Sequence, residues 1–252
     1  MTARLARTLS SLAAVVMTAA CTSYYEIPIE TPIRPKLDVS AFQRVFVAGF
    51  IAGGSEDVDG NLETTRLLRS QLRTKSELRV IDADVLPLME VALEARDGSN
   101  GDRPATPPAI KEDSDLEAYE HVFANVEYWK RIGEEYQQPL IVTGTVMFAP
   151  QARSGIVQRD QEVYDSFGRR RVVPVRTYME RKGFVLRPRF IFIDGRTGTI
   201  LHSENFREEI LYNANQQSPA LSSYFELMDR LIPSFLSTLS SQRIRGTRIL
   251  LQ

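Results

Sequence analysis

Cys21 is the only cysteine in the 252-residue chain, and that count removes the usual covalent and metal staples. A disulfide needs two cysteines, and a structural zinc site needs three or four Cys and His ligands. The two histidines, His121 and His202, lie far from Cys21 and from each other. The fold must therefore be held by an apolar core. With 43% hydrophobic and 25% charged residues, the chain has material for one or two globular domains, unlike a collagen, a coiled coil or a disordered polymer.

The position of the cysteine is as informative as the count. Arg4 and Arg7 precede an uncharged run, Thr8–Ala20, of 13 residues ending in small side chains, and Cys21 follows directly. This is the plan of a secretory signal peptide, too short to span a bilayer. The segment resembles a bacterial lipoprotein signal, which implies removal of residues 1–20 and acylation of Cys21 as the first mature residue. Thr18 departs from the leucine usual at that position. The alternative is a plain signal peptide with Cys21 incidental, which would leave an exported protein with an unpaired reactive thiol. Several acyl chains on one cysteine anchor stably, where one chain binds only marginally. Without residues 1–20 the chain holds 29 basic and 32 acidic residues, a net of −3. No later run approaches 18 uncharged apolar residues, so no transmembrane helix is expected. Residues 21–38 read as a lipidated extended tether. Within them, 22–36 hold three prolines and no helical period and reach at most roughly 50 Å. Alternatively, Tyr24, Tyr25, Ile27 and Ile29 pack along a neighbouring subunit.

Residues 39–252 read as a single α/β domain. Arg44–Phe50 suits a buried strand, and a loop with Gly53, Gly54 and Gly60 follows. The next helix has Asn61 as its cap, Leu67, Leu68 and Leu72 as its apolar side, and basic residues in its last turn. Leu78–Ile81 reads as a strand, and Ala83–Ala95 as a helix interrupted near Pro87. The polar, Pro/Gly-rich stretch 97–115 predicts a disordered loop. Tyr119, Val122, Phe123, Val126, Trp129, Ile132 and Tyr136 then recur at helical spacing, with Trp129 as core packing. Leu140–Phe148 is a strand. Beyond it the rhythm changes to a meander: Ile156–Asp165 and Arg171–Glu180 flank Ser166-Phe167-Gly168 as a protruding hairpin over 156–180, followed by strands Phe184–Asp194 and Thr199–Ile210. A helix over Leu221–Leu239 should kink at Pro233, and Thr247–Leu251 suits an edge strand.

Three stretches together resemble the CsgG-type and LpoB-type bacterial envelope lipoproteins, of curli assembly and penicillin-binding-protein activation. They are Arg44–Phe50 running through a small-residue loop and a Leu-paired helix to Leu78-Arg-Val-Ile-Asp82, then Pro139-Leu-Ile-Val-Thr-Gly-Thr-Val146, then Phe190-Ile-Phe-Ile-Asp-Gly-Arg-Thr-Gly-Thr-Ile200. The likeness covers roughly residues 40–240. It implies a mixed sheet packed with helices in a two- or three-layer sandwich. Members form outer-membrane secretion pores, stimulate peptidoglycan synthases or serve flagellar systems, so the fold does not fix the activity. A membrane hairpin needs a consistently apolar face over 9–11 residues. The outgoing arm carries Gln158, Asp160 and Glu162 on one face and Arg159 and Gln161 on the other. This favours an exposed soluble hairpin over a channel subunit.

Charge is unevenly spread. Residues 54–121 hold 16 acids and 8 bases, and residues 151–189 hold 10 bases and 4 acids. Arg169, Arg170 and Arg171 at the hairpin tip are the candidate partner-binding residues, for an acidic protein, lipid headgroups, cell-wall polymer or the protein's own acidic loop. A solvated arm kept soluble by charge is the plain alternative. Nucleic acid is not expected behind an export signal. No serine lies in a G-x-S-x-G setting, His121 and His202 read as structural, Gly53-Gly54 lacks a phosphate-loop pattern, and Asp57, Asp59 and Glu63 lack the spacing of a calcium loop. No cofactor or metal is expected. The leading expectation is a non-enzymatic envelope lipoprotein, anchored on the periplasmic face of the outer membrane, that binds or regulates an envelope complex. Behind it stand a subunit of an oligomeric secretion channel and an enzyme using carboxylates alone.

Overall fold

Runs of β-branched and aromatic residues bury both faces of a central sheet, so helices must cover each side. In the computed structural model, which describes residues 24–97, 109–213, 216 and 218–251, the chain divides into two units. One is Lys36–Leu239; the other joins, among the described residues, 24–35 with 240–251.

The larger unit is built on β2 (Arg44–Gly54), β3 (Arg79–Val80), β4 (Leu140–Tyr164), β5 (Arg170–Asp194), β6 (Ile200–Asn205) and β7 (Glu208–Asn213). β2 runs parallel to β3 and β4, while β5 is antiparallel to β4, β6 and β7. The sheet is mixed, with order β3-β2-β4-β5-β6 and β7 also on β5. Helices α1 (Gly60–Lys75) and α6 (Ala220–Leu239) cover one face, where Val45, Val47, Leu140, Val142, Phe190 and Phe192 meet Leu68, Leu72, Leu227 and Phe235. On the other face Phe46, Ala48, Ile141, Ile191 and Ile193 meet α2 (Leu88–Asp97), α3 (Asp113–Glu117), α4 (Glu120–Phe123) and α5 (Val126–Glu135). The α/β architecture read from the sequence is thus realised as three layers.

Several local expectations change. α1 is capped two residues earlier: Asp59 accepts from Leu62 N at 3.0 Å, and Asn61 accepts instead from Phe50 N at 2.7 Å, tying the helix to β2. Pro87 places the start of α2 at Leu88. Asp113–Glu117, overlapping the end of the expected loop, is helical: Asp115 accepts from Lys111 N and Glu112 N, each at 2.9 Å, and Leu116 is buried; residues 98–108 of that loop lie outside the described residues. The aromatic stripe is carried by α4 and α5, with Asn125 capping α5 through Tyr128 N. Trp129 is fully buried and donates its indole N–H to Val122 O at 2.9 Å. α6 continues through Pro233.

The smaller unit is a two-stranded antiparallel ribbon of β1 (Tyr24–Ile33) and β8 (Gln242–Leu251). Residues 24–33, expected within a tether, form a strand whose backbone is paired with β8. The expected domain over 39–252 accordingly ends at Leu239.

Candidate functional site: the two-stranded arm

β4 and β5 are each 25 residues long and stay in register from Leu140↔Asp194 to Tyr164↔Arg170. The four strands expected along this stretch are therefore two. Their core halves lie inside the sheet. From about Pro150 outward β4 pairs with β5 alone, and both faces are open to solvent over most of the arm. Fifteen residues, Pro150–Tyr164, make an arm about 50 Å long at about 3.4 Å per residue.

The tip is organised by one carboxylate. Asp165 accepts from Arg169 N at 2.9 Å, from Phe167 N at 3.0 Å and from Arg169 Nε at 3.0 Å. Gly168 has φ +75°, the left-handed conformation that closes the turn. The Arg169 guanidinium lies 5.4 Å from the centre of the Phe167 ring. These donors, the Arg169 backbone N–H first, hold the Asp165 carboxyl below its ordinary value of 3.8. A depressed carboxylate stabilises the folded tip fully above the unfolded value and loses that contribution as pH falls through the folded one. Asp165→Ala is expected to speed amide exchange at Phe167 and Arg169 at neutral pH, and the wild-type tip should approach the variant only below about pH 4.

The three tip arginines do not act as one group. Arg169 is held by Asp165, and Arg170 pairs with Glu162 at 2.5 Å. Arg171 alternates to the opposite face and has no ion pair among the described residues. Residues directly opposite in an antiparallel pair share a face, so the register sorts the arm completely. One face carries Asp160, Glu162 and Glu180 together with Arg170, Arg176 and Lys182. The other carries Arg153, Arg159, Arg171 and Arg181 with no acidic residue, interleaved with Val157, Val163, Val173, Val175, Thr177 and Met179. Sequence reasoning found the net positive charge but missed Arg153, Arg159 and Arg181. The signal was present in the parity of positions and became readable once the pairing register was fixed.

Arg153 and Arg181 sit directly opposite each other, an unfavourable like-charge pair, and Arg153 reaches Glu209 at 3.0 Å. The arginine row continues along β5 into a cleft of about 300 Å³ at the root of the arm, lined by Asp113, Glu117, Glu120, Thr145, Arg187 and Arg189. There the charges are already matched. Arg187 meets Asp113 at 3.1 Å, Arg189 meets Glu120, and Arg189 Nε donates to Ser203 Oγ at 3.1 Å. The carboxylates of Asp113 and Glu120 serve as counter-ions in this arrangement. Arg159 and Arg171 on the arm have no such partner among the described residues, so the unbalanced charge lies on the arm.

The remaining sequence candidates fall in structural positions. Asp59 is a helix cap, and both ring nitrogens of His121 lie within hydrogen-bonding distance of the Ala118 and Ala92 carbonyls, joining α4 to α2. His202 lies 3.5 Å from Glu204. A side chain on Gly53 would overlap Ile110, at 2.4 Å, so the small-residue loop makes room for core packing. No group of three or more metal-ligating side chains occurs among the described residues, and none of their helices is long and apolar enough to cross a membrane. Cys21 lies outside the described residues.

No family model matches the chain, and no curated protein matches it. Several solved structures are similar, two of them bacterial proteins as follows. A lipoprotein from Neisseria meningitidis is 12% identical at a TM-score of 0.34, over 77% of this chain and 97% of its own. A neuraminyllactose-binding hemagglutinin homologue from Helicobacter pylori is 10% identical at a TM-score of 0.34, over 81% of this chain and 86% of its own. Likeness of this degree extends neither to ligand nor to activity.

Proposed function

We propose that the protein is a lipid-anchored, non-enzymatic component of the bacterial cell envelope that works by docking. Acylated Cys21 holds it on the periplasmic face of the outer membrane. The arm presents its acid-free face to an acidic surface of an envelope protein complex. The observation that carries the docking role is the segregation of charge across the arm: Arg153, Arg159, Arg171 and Arg181 share one face, and every acidic residue of the two paired strands lies on the other. A row of arginines set among valines can bury apolar area and meet carboxylates at once. Cys21→Ser is expected to move the protein from the membrane fraction to the soluble periplasmic fraction, read by fractionation and by loss of acyl-chain mass. Retention in the membrane would sink the anchoring half of the proposal and leave the docking half to its own test.

The channel alternative has one feature in its favour, an arm longer than the 9–11 residues a membrane strand needs. Against it, Arg159 and Gln161 interrupt one face at mid-arm, and Asp160, Glu162 and Arg176 interrupt the other. A discrete ring of many subunits in solution would reinstate it.

A further inference from the structure

An isolated two-stranded ribbon is at best marginally stable in water and gains from a third strand. The ribbon of β1 and β8 has two edges, and they differ. Pro28 and Pro32 lie within β1, opposite Thr247 and Arg243. Proline has no N–H, so in a paired strand it sits where the N–H would face away from the partner. Residues of one parity share that direction, so Glu26, Pro28, Glu30 and Pro32 face the open edge of β1, and Ile27, Ile29, Thr31 and Ile33 bond to β8. The open edge of β1 is therefore interrupted by two missing donors, which blunts it against further pairing. By the same register, β8 turns the N–H and C=O groups of Arg243, Arg245, Thr247, Ile249 and Leu251 outward along an unbroken edge.

We infer that this β8 edge is a self-complementary dimerisation surface, and that a second copy of the chain pairs with it antiparallel about a two-fold axis at Thr247. This centre engages all five outward-facing residues, whereas a centre at Gly246 engages four. It also sets Arg245 opposite Ile249, Arg248 opposite Gly246, and Thr247 opposite itself, so these arginines do not face one another. Arg243 and Arg245 both pair with Glu30 within the ribbon, at 3.4 and 2.9 Å, which offsets part of their charge. The product is a four-stranded sheet, β1-β8-β8-β1, whose outer edges are both the proline-interrupted ones. Such an assembly closes at two copies. Ile27, Ile29 and Ile33, each at least 40% exposed, share one face of the ribbon and would line one face of that sheet.

The test uses the full chain carrying Cys21→Ser, in which a cysteine at position 247 is the only one. Sedimentation equilibrium at micromolar concentration should give a dimer. Thr247→Pro removes one outward N–H at the centre of the interface while sparing every bond between β1 and β8, and should halve the mass. Under mild oxidation Thr247→Cys should give a disulfide-linked dimer in high yield, since directly opposite hydrogen-bonded residues lie about 5.5 Å apart, within disulfide reach. Arg245→Cys, facing Ile249 of the second copy, should give little. A monomer, an oligomer indifferent to Thr247→Pro, or equal cross-linking at 245 and 247 would each overturn the inference.

Discussion

Gly144→Ala is expected to leave little folded protein. Gly144 lies in β4 between β2 and β5, opposite Phe50 on one side and Phe190 on the other, with φ +141°. An alanine Cβ there would fall 1.8 Å from the Arg189 carbonyl oxygen, a backbone atom held in the sheet. The substitution therefore combines a disfavoured backbone conformation with a clash that no rotamer change relieves. A cost above about 4 kcal/mol is exceptional for a point mutant, and it would consume much of the roughly 5–15 kcal/mol that holds a typical protein folded. Soluble yield and denaturant unfolding measure the effect. Gly155→Ala is the control: a Cβ on this arm glycine meets nothing within 4 Å, and the variant should unfold close to wild type. Wild-type stability in Gly144→Ala would contradict the register of the central strands.

The second large effect is on binding. Arg159→Glu with Arg171→Glu places two carboxylates on the acid-free face of the arm while leaving the core untouched. Like charges brought together at an interface cost several kcal/mol, so capture of the envelope partner should fall by about 100-fold or more, the equivalent of about 3 kcal/mol. The unfolding midpoint should stay close to wild type, because both side chains are exposed and neither has an ion pair to lose among the described residues. Arg170→Glu with Arg176→Glu changes the net charge equally but on the mixed face, and should weaken capture far less. Affinity purification after chemical cross-linking of intact cells, with the recovered partner quantified for each variant, measures the difference. Equal losses from the two double variants would show that net charge matters and the face does not.

Much of the fold was legible because periodicity reports burial directly. The β-branched and aromatic run in Arg44–Phe50 marked a buried strand, and the spacing of Tyr224, Leu227, Leu231 and Phe235 marked the face of α6 that packs on the sheet. The long strands were divided because the stretches 149–155 and 181–183, which hold Pro150, Gly155 and Gly183, carry no strand pattern, while Pro174 and Pro188 lay inside expected strands. None of these prolines interrupts the pairing. All three prolines have the parity whose N–H faces away from the β4–β5 ladder. Pro150 and Pro174 lie where the outer sides of the arm have no neighbour. Pro188 falls between the segments of β5 that pair with β6 and β7, and its carbonyl accepts from Phe206 N at 2.9 Å on that side. A proline breaks a strand only where a neighbour needs its N–H. The same tertiary fact hid the site. Without the register, Arg169-Arg170-Arg171 looked like a cluster and Arg159 like an isolated charge. With it, Arg159 and Arg171 share a face and Arg170 does not. The pairing of residues 24–33 with 242–251 was illegible for a different reason: it joins segments more than 200 residues apart, and local pattern carries no information about partners.

The central claim, that one face of the arm docks on a partner in the envelope, is tested most directly by a photo-cross-linking residue placed in living cells at Thr177 and, separately, at its neighbour Tyr178. The two positions differ by one residue in sequence and by the full thickness of the ribbon in space. The prediction is a discrete adduct with another envelope protein from Thr177, absent from Tyr178 and lost when Arg159 and Arg171 are replaced by glutamate. The same adduct from both positions, or none from Thr177, would contradict it.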